Sequence, residues 1–408
     1  MMYREHLLTQ LLPFWNRAFD ELHGGIYTCY TNDGKTLVSR DKYTWSQGRM
    51  LWVLSYLLGS PTLARLLNEE ERSRYTERAR LLHMFLDRHA FLDRADEGCA
   101  FLLGWDGTVK QGYTSIYADC FVIIGFSRYA RFVESRSIAL KALTLYTKIR
   151  GFIARGMIKS EPYPIPSSAR SHGISMIMVN TADELSKALA ELGLNDQAQT
   201  VAEDAQEDAM TILDRFVDPK TALVREIVHT DGNEESLLSR HRNPGHAVES
   251  MWFCLNVLED HLPRMGEVVL ASLERGWDEE HGGLFRYIDS SGSPPQGKTQ
   301  ADPFSRLVTS TWDYKLWWPH AEAVYATWRF YRATGNEVFL AWHRRLVSYT
   351  FETFPAETGN EWIQIRNRSG QPVEGVVALP VKDPFHILRT VMYMTEDEEK
   401  TDELPTID

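Results

Sequence analysis

Cysteine is scarce in this chain, with four in 408 residues. Cys29, Cys99, Cys120 and Cys254 are widely spaced and fit neither a disulfide framework nor a zinc-binding pattern. Scattered thiols of this kind point to a reducing, cytoplasmic setting. Long apolar runs are missing too, and nothing reaches the ~20 residues of a membrane span. The opening, MMYREHLLTQLLPFW, lacks the cationic start, apolar run and small-residue cleavage site of a secretion signal. Lys and Arg number 44 against 56 Asp and Glu, a net charge of −12. No basic cluster stands out, which argues against a nucleic-acid partner. There is no Gly-rich phosphate loop, no GxSxG elbow and no HExxH metal motif.

What is present is helix of two kinds in alternation. Six segments are nearly free of charge: 45–59, 114–127, 171–183, 245–258, 315–330 and 384–394. A helix apolar nearly all round is buried on all sides. Between them lie amphipathic stretches at about 3–21, 61–90, 134–154, 194–216, 261–276 and 336–353, with apolar residues at helical spacing. The buried segments recur at roughly 55–75 residues, the signature of a repeated supersecondary unit. The economical arrangement is all-α, a single domain over 1–408 with six inner helices ringed by six outer ones. Short strand-and-turn runs, HGGIYTCYTNDG, CAFLLGWDG, ALVREIVHTDG, HGGLFRYIDSSG and EWIQIRNRSG, are expected as β-hairpins at one end. The stretch 289–305 is expected to be the mobile loop. Inner helices running the same way gather their N-termini at one mouth, with unpaired N–H groups and positive dipole ends.

Polar residues near those helix starts are the candidates for chemistry. NPGHAVES places His246 and Glu249 three apart on one helix face, opposite the apolar stripe of Val248, Met251, Trp252 and Leu255. DPFHILRT places His386 and Arg389 at the same spacing. Each histidine is either a hydrogen-bonded core residue or a base tuned by its helix terminus. His172 also opens an inner segment, in a weaker context. A metal reading would combine His241, His246 and Glu249, but the spacing matches no zinc signature. Arg49 is nearly alone as a charge in WSQGRMLW and needs a polar partner: Glu249, Glu322, Asp119 or a substrate oxygen. Trp317 and Trp318, beside His320 and Glu322 in KLWWPHAEA, offer flat faces for stacking on a sugar, or simply pack the core. Tyr113, Tyr117 and Asp119 in GYTSIYADC are further polar contacts for such a pocket.

At these residues the chain resembles the N-acylglucosamine 2-epimerase family, whose animal members are also called renin-binding proteins. The matching blocks run through nearly the whole chain in order: HGGIYTCYTNDG, KYTWSQGRMLW, MIMVNTADEL, RHRNPGHAVESMWF, GWDEEHGGLF, YKLWWPHAEA and PFHILR. The resemblance implies an (α/α)6 barrel and a metal-independent proton transfer on a sugar. It puts His246 and His386 on the family's two catalytic histidines, Arg49 on its substrate-oxygen arginine, and Glu249 on the glutamate that supports the first histidine. Trp317 and Trp318 fall on the pocket wall; apart from the resemblance, Tyr113, Tyr117, His172, Glu322 and Arg389 are candidate binding residues from their own positions in the sequence. A histidine removes the C2 proton of the open sugar, Arg49 steadies the enediolate, and the second histidine returns a proton to the opposite face. Return to C1 instead would give a ketose.

The blocks favour N-acyl-glucosamine and N-acyl-mannosamine over unmodified mannose, as substrate of an epimerase or of an aldose–ketose isomerase. The segments 158–172, 289–311 and the sequence before PFHILR depart from the N-acylglucosamine branch. Some family members need ATP as an activator, and no position on this chain is assigned to it. Relatives are monomers and dimers. Two readings compete from other classes. A barrel glycoside hydrolase would use Glu249 and Glu322 as its carboxylate pair. A protein binder would have no use for polar inner-helix residues.

Overall fold

The computed structural model describes residues 2–400, apart from 167, 231, 293, 300 and 301. The six inner helices are Thr44–Gly59, Ile116–Phe132, His172–Glu191, Pro244–Leu255, Trp317–Thr334 and His386–Lys400. Each packs against the next in chain order, and the sixth returns to the first, closing the ring. The outer layer comprises Glu69–His89, Arg136–Ala154, Asn195–Thr211, Leu262–Gly276 and Glu337–Thr353, each against the inner helix beside it. The broken N-terminal helix (Met2–His6, Leu7–Leu11, Leu12–Asn16) completes it by packing on the sixth inner helix. The alternation of apolar and amphipathic stretches thus becomes two concentric layers. No helix among the described residues is long and apolar enough to cross a membrane.

Local signals fix the helix ends. Glu69–His89 opens with a capping box: Asn68 Oδ1 accepts from Glu71 N at 2.9 Å, and Glu71 Oε2 accepts from Asn68 N at 2.9 Å. Three glutamates lie in its first turn and Arg88 and His89 in its last, matching the helix dipole. The first two inner helices approach at glycine. A Cβ on Gly48 would lie 2.3 Å from the Phe121 carbonyl oxygen, so only glycine allows that spacing.

The short strands gather where the inner helices begin. Lys42–Tyr43 pairs with Leu102–Leu103, Ala169–Ser171 with Ile227–His229, His241–Arg242 with Ile288–Asp289, and Lys315–Leu316 with Ile365–Arg366, all antiparallel. In each pair the strand listed first leads directly into an inner helix, or does so after Asn243. A buried lysine locks two of these entries. Lys42 Nζ donates to Asp20 Oδ2 at 2.8 Å and to the Gly24 carbonyl at 2.7 Å. Lys315 Nζ meets Asp278 Oδ2 at 3.0 Å and the Gly283 carbonyl at 3.3 Å. Both HGG stretches are therefore turns tied to the helix that follows. The segment expected to be mobile, 289–305, includes residues 293, 300 and 301, which lie outside the described residues. Its flanks are held: Asp289 is buried against Arg240 at 2.7 Å, and Asp302 caps the helix Pro303–Thr311 through Ser305 N at 2.8 Å.

Candidate active site

The N-terminal halves of all six inner helices face one cavity of about 200 Å3. They supply Trp45 and Arg49, Tyr117 and Phe121, Met176 and Asn180, His246 and Glu249, Trp317 and Trp318, and His386 and Arg389. Glu226, just before the strand Ile227–His229, together with Arg286, Tyr163, Phe304 and Val377 from the connecting segments, closes the remaining wall. A ring of like-directed helices puts its polar first turns at a common mouth, which is why residues far apart in sequence meet here.

Two imidazoles flank one indole. The Trp318 ring lies 4.9 Å from that of His246 and 5.7 Å from that of His386, centroid to centroid. Each histidine is anchored through Nδ1 to a carboxylate. His386 Nδ1 is 2.7 Å from Glu322 Oε1, and His246 Nδ1 is 2.9 Å from Glu226 Oε2. A carboxylate accepts, so Nδ1 carries the proton in both rings and Nε2 is left for chemistry. Arg49 Nη2 lies 3.4 Å from His386 Nε2, while Nη1 donates to Asp383 Oδ1 at 2.9 Å.

Burial and charge then separate the two histidines. Burial pushes the His246 proton affinity down, but Glu226 outweighs it, and the net shift is upward. Glu226 itself is held well below the carboxylate range, because His246 and His172 overcome the cost of its burial. Burial brings the Arg49 guanidinium down to about 10, with Asp383 opposing. His386 sits with a guanidinium facing its Nε2. His246 keeps its proton more readily than an ordinary histidine.

Several residues stand where their spacing predicts, and others do not. His246, His386, Arg49, Glu249, Trp317, Trp318, Tyr117 and Arg389 line the cavity. Glu249, the support of His246 that the resemblance implies, adds its charge to the upward shift of His246 but does not anchor the ring. It turns towards the sixth inner helix, accepts from Arg389 Nη2 at 2.8 Å and approaches His386 Nδ1 at 3.6 Å. The support comes from Glu226, twenty residues earlier and immediately before the strand Ile227–His229. Glu322 is wholly buried behind the wall, bonded to His386, Arg389 and the Trp252 indole. His172 is likewise buried, 3.4 Å from the second oxygen of Glu226. Tyr113 is outside the cavity: its ring packs on Phe152, and Lys159 donates to its carbonyl. His320 is a core residue, bonded to the Leu316 carbonyl at 2.6 Å and the Leu284 N–H at 2.8 Å. The partner of Arg49 is Asp383, none of the three carboxylates expected; Asp119 is buried elsewhere and accepts from Cys99 N at 2.6 Å.

The rival chemistries fit less well. The facing oxygens of Glu249 and Glu322 lie within 4.8 Å of each other, and both bond to the same Arg389 nitrogen. Carboxylates so close and so occupied leave no room for a glycosidic bond between them. Among the described residues, two His and carboxylate groups have the spacing of metal ligands: His172–Glu226–His246 and Glu249–Glu322–His386. In the second, Arg389 already supplies the positive charge. His241 joins neither; its ring is buried and bonded to the Leu238 carbonyl at 2.7 Å.

Comparison with known proteins agrees with this geometry. The profile of the family described as N-acylglucosamine 2-epimerase (GlcNAc 2-epimerase) matches residues 25–390. The N-acylglucosamine 2-epimerase of Bos taurus is 29% identical over 411 residues, covering 95% of this chain and 89% of that protein. Two solved structures share the fold: a sugar epimerase from a ruminal bacterium (TM-score 0.73, 19% identity, 97% of this chain and 99% of that one) and a D-mannose isomerase (TM-score 0.73, 17% identity, 97% of each chain).

Proposed function

Because the chain belongs to the N-acylglucosamine 2-epimerase family, we propose that it interconverts N-acyl-D-glucosamine and N-acyl-D-mannosamine by moving the C2 proton between two histidines. It is an isomerase, an (α/α)6-barrel sugar 2-epimerase. The whole chain acts as one catalytic domain, in the cytoplasm. The observation that carries the mechanism is the pair of imidazoles anchored through Nδ1 on either side of Trp318.

His386 is the base. Glu322 fixes its Nδ1 proton, and the Arg49 guanidinium stands beside Nε2, the atom left to face the sugar. Nε2 takes the C2 proton of the open-chain aldehyde, and the electron pair moves onto O1. Arg49 and the inner-helix N-termini stabilise that charge as an oxyanion site does. His246, whose proton affinity Glu226 raises, then gives a proton from Nε2 to the opposite face of C2. Trp317 and Trp318 offer the sugar a flat wall, and Arg389 orients the two glutamates beneath it. Each proton transfer is worth roughly 10²–10⁴-fold. All these steps use side chains of the chain itself.

The test is product analysis with N-acetylmannosamine, mannose and cellobiose supplied separately, with and without ATP. N-acetylglucosamine from the first sugar at the highest rate supports the proposal. Fructose from mannose at a higher rate makes the protein an aldose–ketose isomerase.

A further inference from the structure

Asp383 stands just before the sixth inner helix, and its buried carboxylate accepts four hydrogen bonds. Oδ1 takes Arg49 Nη1 at 2.9 Å and Phe385 N at 3.1 Å. Oδ2 takes His386 N at 3.0 Å and Trp317 Nε1 at 3.2 Å. One group therefore grips the guanidinium, the main chain under the proposed base and an indole of the cavity wall.

The carboxylate is itself held from behind. The Gln364 side chain accepts from Asp383 N at 3.1 Å and donates to its carbonyl at 3.2 Å. Gln364 also donates to Glu361 Oε2 at 2.8 Å, and Glu361 pairs with Lys382 at 3.0 Å. Lys382 in turn donates to the carbonyls of Asn32 and Trp362 at 2.7 and 2.6 Å. An exposed ion pair swings freely and contributes little. This one is fixed on every side and has no slack.

The charges around His386 give this grip a chemical consequence. Glu322 and Glu249 face its Nδ1, Arg49 faces its Nε2, Arg389 lies on the two glutamates, and Asp383 lies under its backbone. Without Asp383, Arg49 would face the ring uncompensated and be free to turn away. We propose that Asp383 is a positioning residue, which holds Arg49 against Nε2 of His386 and balances the guanidinium charge there. This rests on His386 being the base.

The test uses full-length D383N and D383A with fold checked by circular dichroism and thermal melting. Steady-state rates are measured across pH, His386 is titrated by NMR of its ring protons, and D383A is assayed with added formate. The expected result for D383N is a kcat lowered about a hundredfold, as for a misplaced catalytic group, with KM changed much less. Its acid limb of kcat/KM and its His386 titration both move, to lower pH where Arg49 stays on the ring without its counter-charge and to higher pH where Arg49 turns away. Formate restores part of the activity of D383A and none of H386N. A D383N enzyme with wild-type kcat and an unmoved titration overturns the proposal. So does a folded D383A that formate does not help. Should the wild type turn over no sugar, the ring titration still decides: a D383N shift then keeps the role of Asp383 and removes that of the base, and no shift removes both.

Discussion

Glu226 Oε2 and His246 Nδ1 meet at 2.9 Å across twenty positions of sequence. The pairing raises the proton affinity of His246 against the pull of burial. A raised histidine loses its proton only at higher pH, so the basic limb of the pH–rate profile reports this pair. Replacing Glu226 with Gln removes the cause and leaves the burial. The basic limb of kcat/KM is expected to move to lower pH, and kcat to fall roughly 10²-fold or more. A limb that stays in place would show that His246 is not the acid.

The two histidines are expected to be separable by substrate. With a base on each face of C2, H386N removes proton abstraction from one epimer and leaves the other sugar able to exchange through His246. H246N does the reverse. Isotope exchange at C2, followed for each sugar with each variant, reads this directly. Equal loss for both sugars in both variants would point to a single shared base.

The layers were legible in the sequence because burial of a helix on all sides demands a nearly charge-free stretch, and all six such stretches are inner helices. The site was legible where a functional residue lies in the first turns of those helices, as with His246, His386 and Arg49. It was not legible where tertiary contacts decide. Glu226 lies just before a strand and Asp383 before a helix, and no spacing connects Glu226 to His246 or Asp383 to Arg49. Asp383 is even part of the DPFHILRT stretch. Glu249 shows the opposite failure: the correct helix face, but a partner on the adjacent helix. Tyr113 shows that proximity in sequence to Tyr117 does not bring a side chain around into the cavity.

Removing Glu322 is expected to cost stability as well as activity. Arg389 is fully enclosed and relies on Glu322 and Glu249 for its charge balance. Taking one carboxylate from a buried pair costs about 3 kcal/mol or more. E322A should show this in urea unfolding, along with loss of turnover. Stability unchanged within about 0.5 kcal/mol would mean that Glu249 alone suffices.

Asp119 provides a stability test away from the chemistry. Burial raises its carboxyl from 3.8 to about 7, with the Cys99 N–H and Lys148 opposing, and Oδ2 has no hydrogen-bond partner. Cys99, Cys120 and Tyr113 are the other titratable groups around it. The folded chain binds this proton more tightly than the unfolded one. Its contribution is therefore complete below about pH 4 and is lost as pH rises through about 7. D119N should flatten that slope and be the more stable protein at pH 8, by about 1–3 kcal/mol. Denaturant unfolding at several pH values checks it, and parallel curves for the two proteins would contradict it.

Proton transfer at C2 is read by proton NMR in deuterated water. Purified enzyme is incubated with N-acetylmannosamine, with and without ATP, and the C2 proton signal is followed. This signal is expected to disappear as N-acetylglucosamine carrying deuterium at C2 accumulates, and neither change is expected with the H386N/H246N double variant. Epimer formed with full retention of the original proton, or product formed equally well by the double variant, would contradict proton transfer at C2.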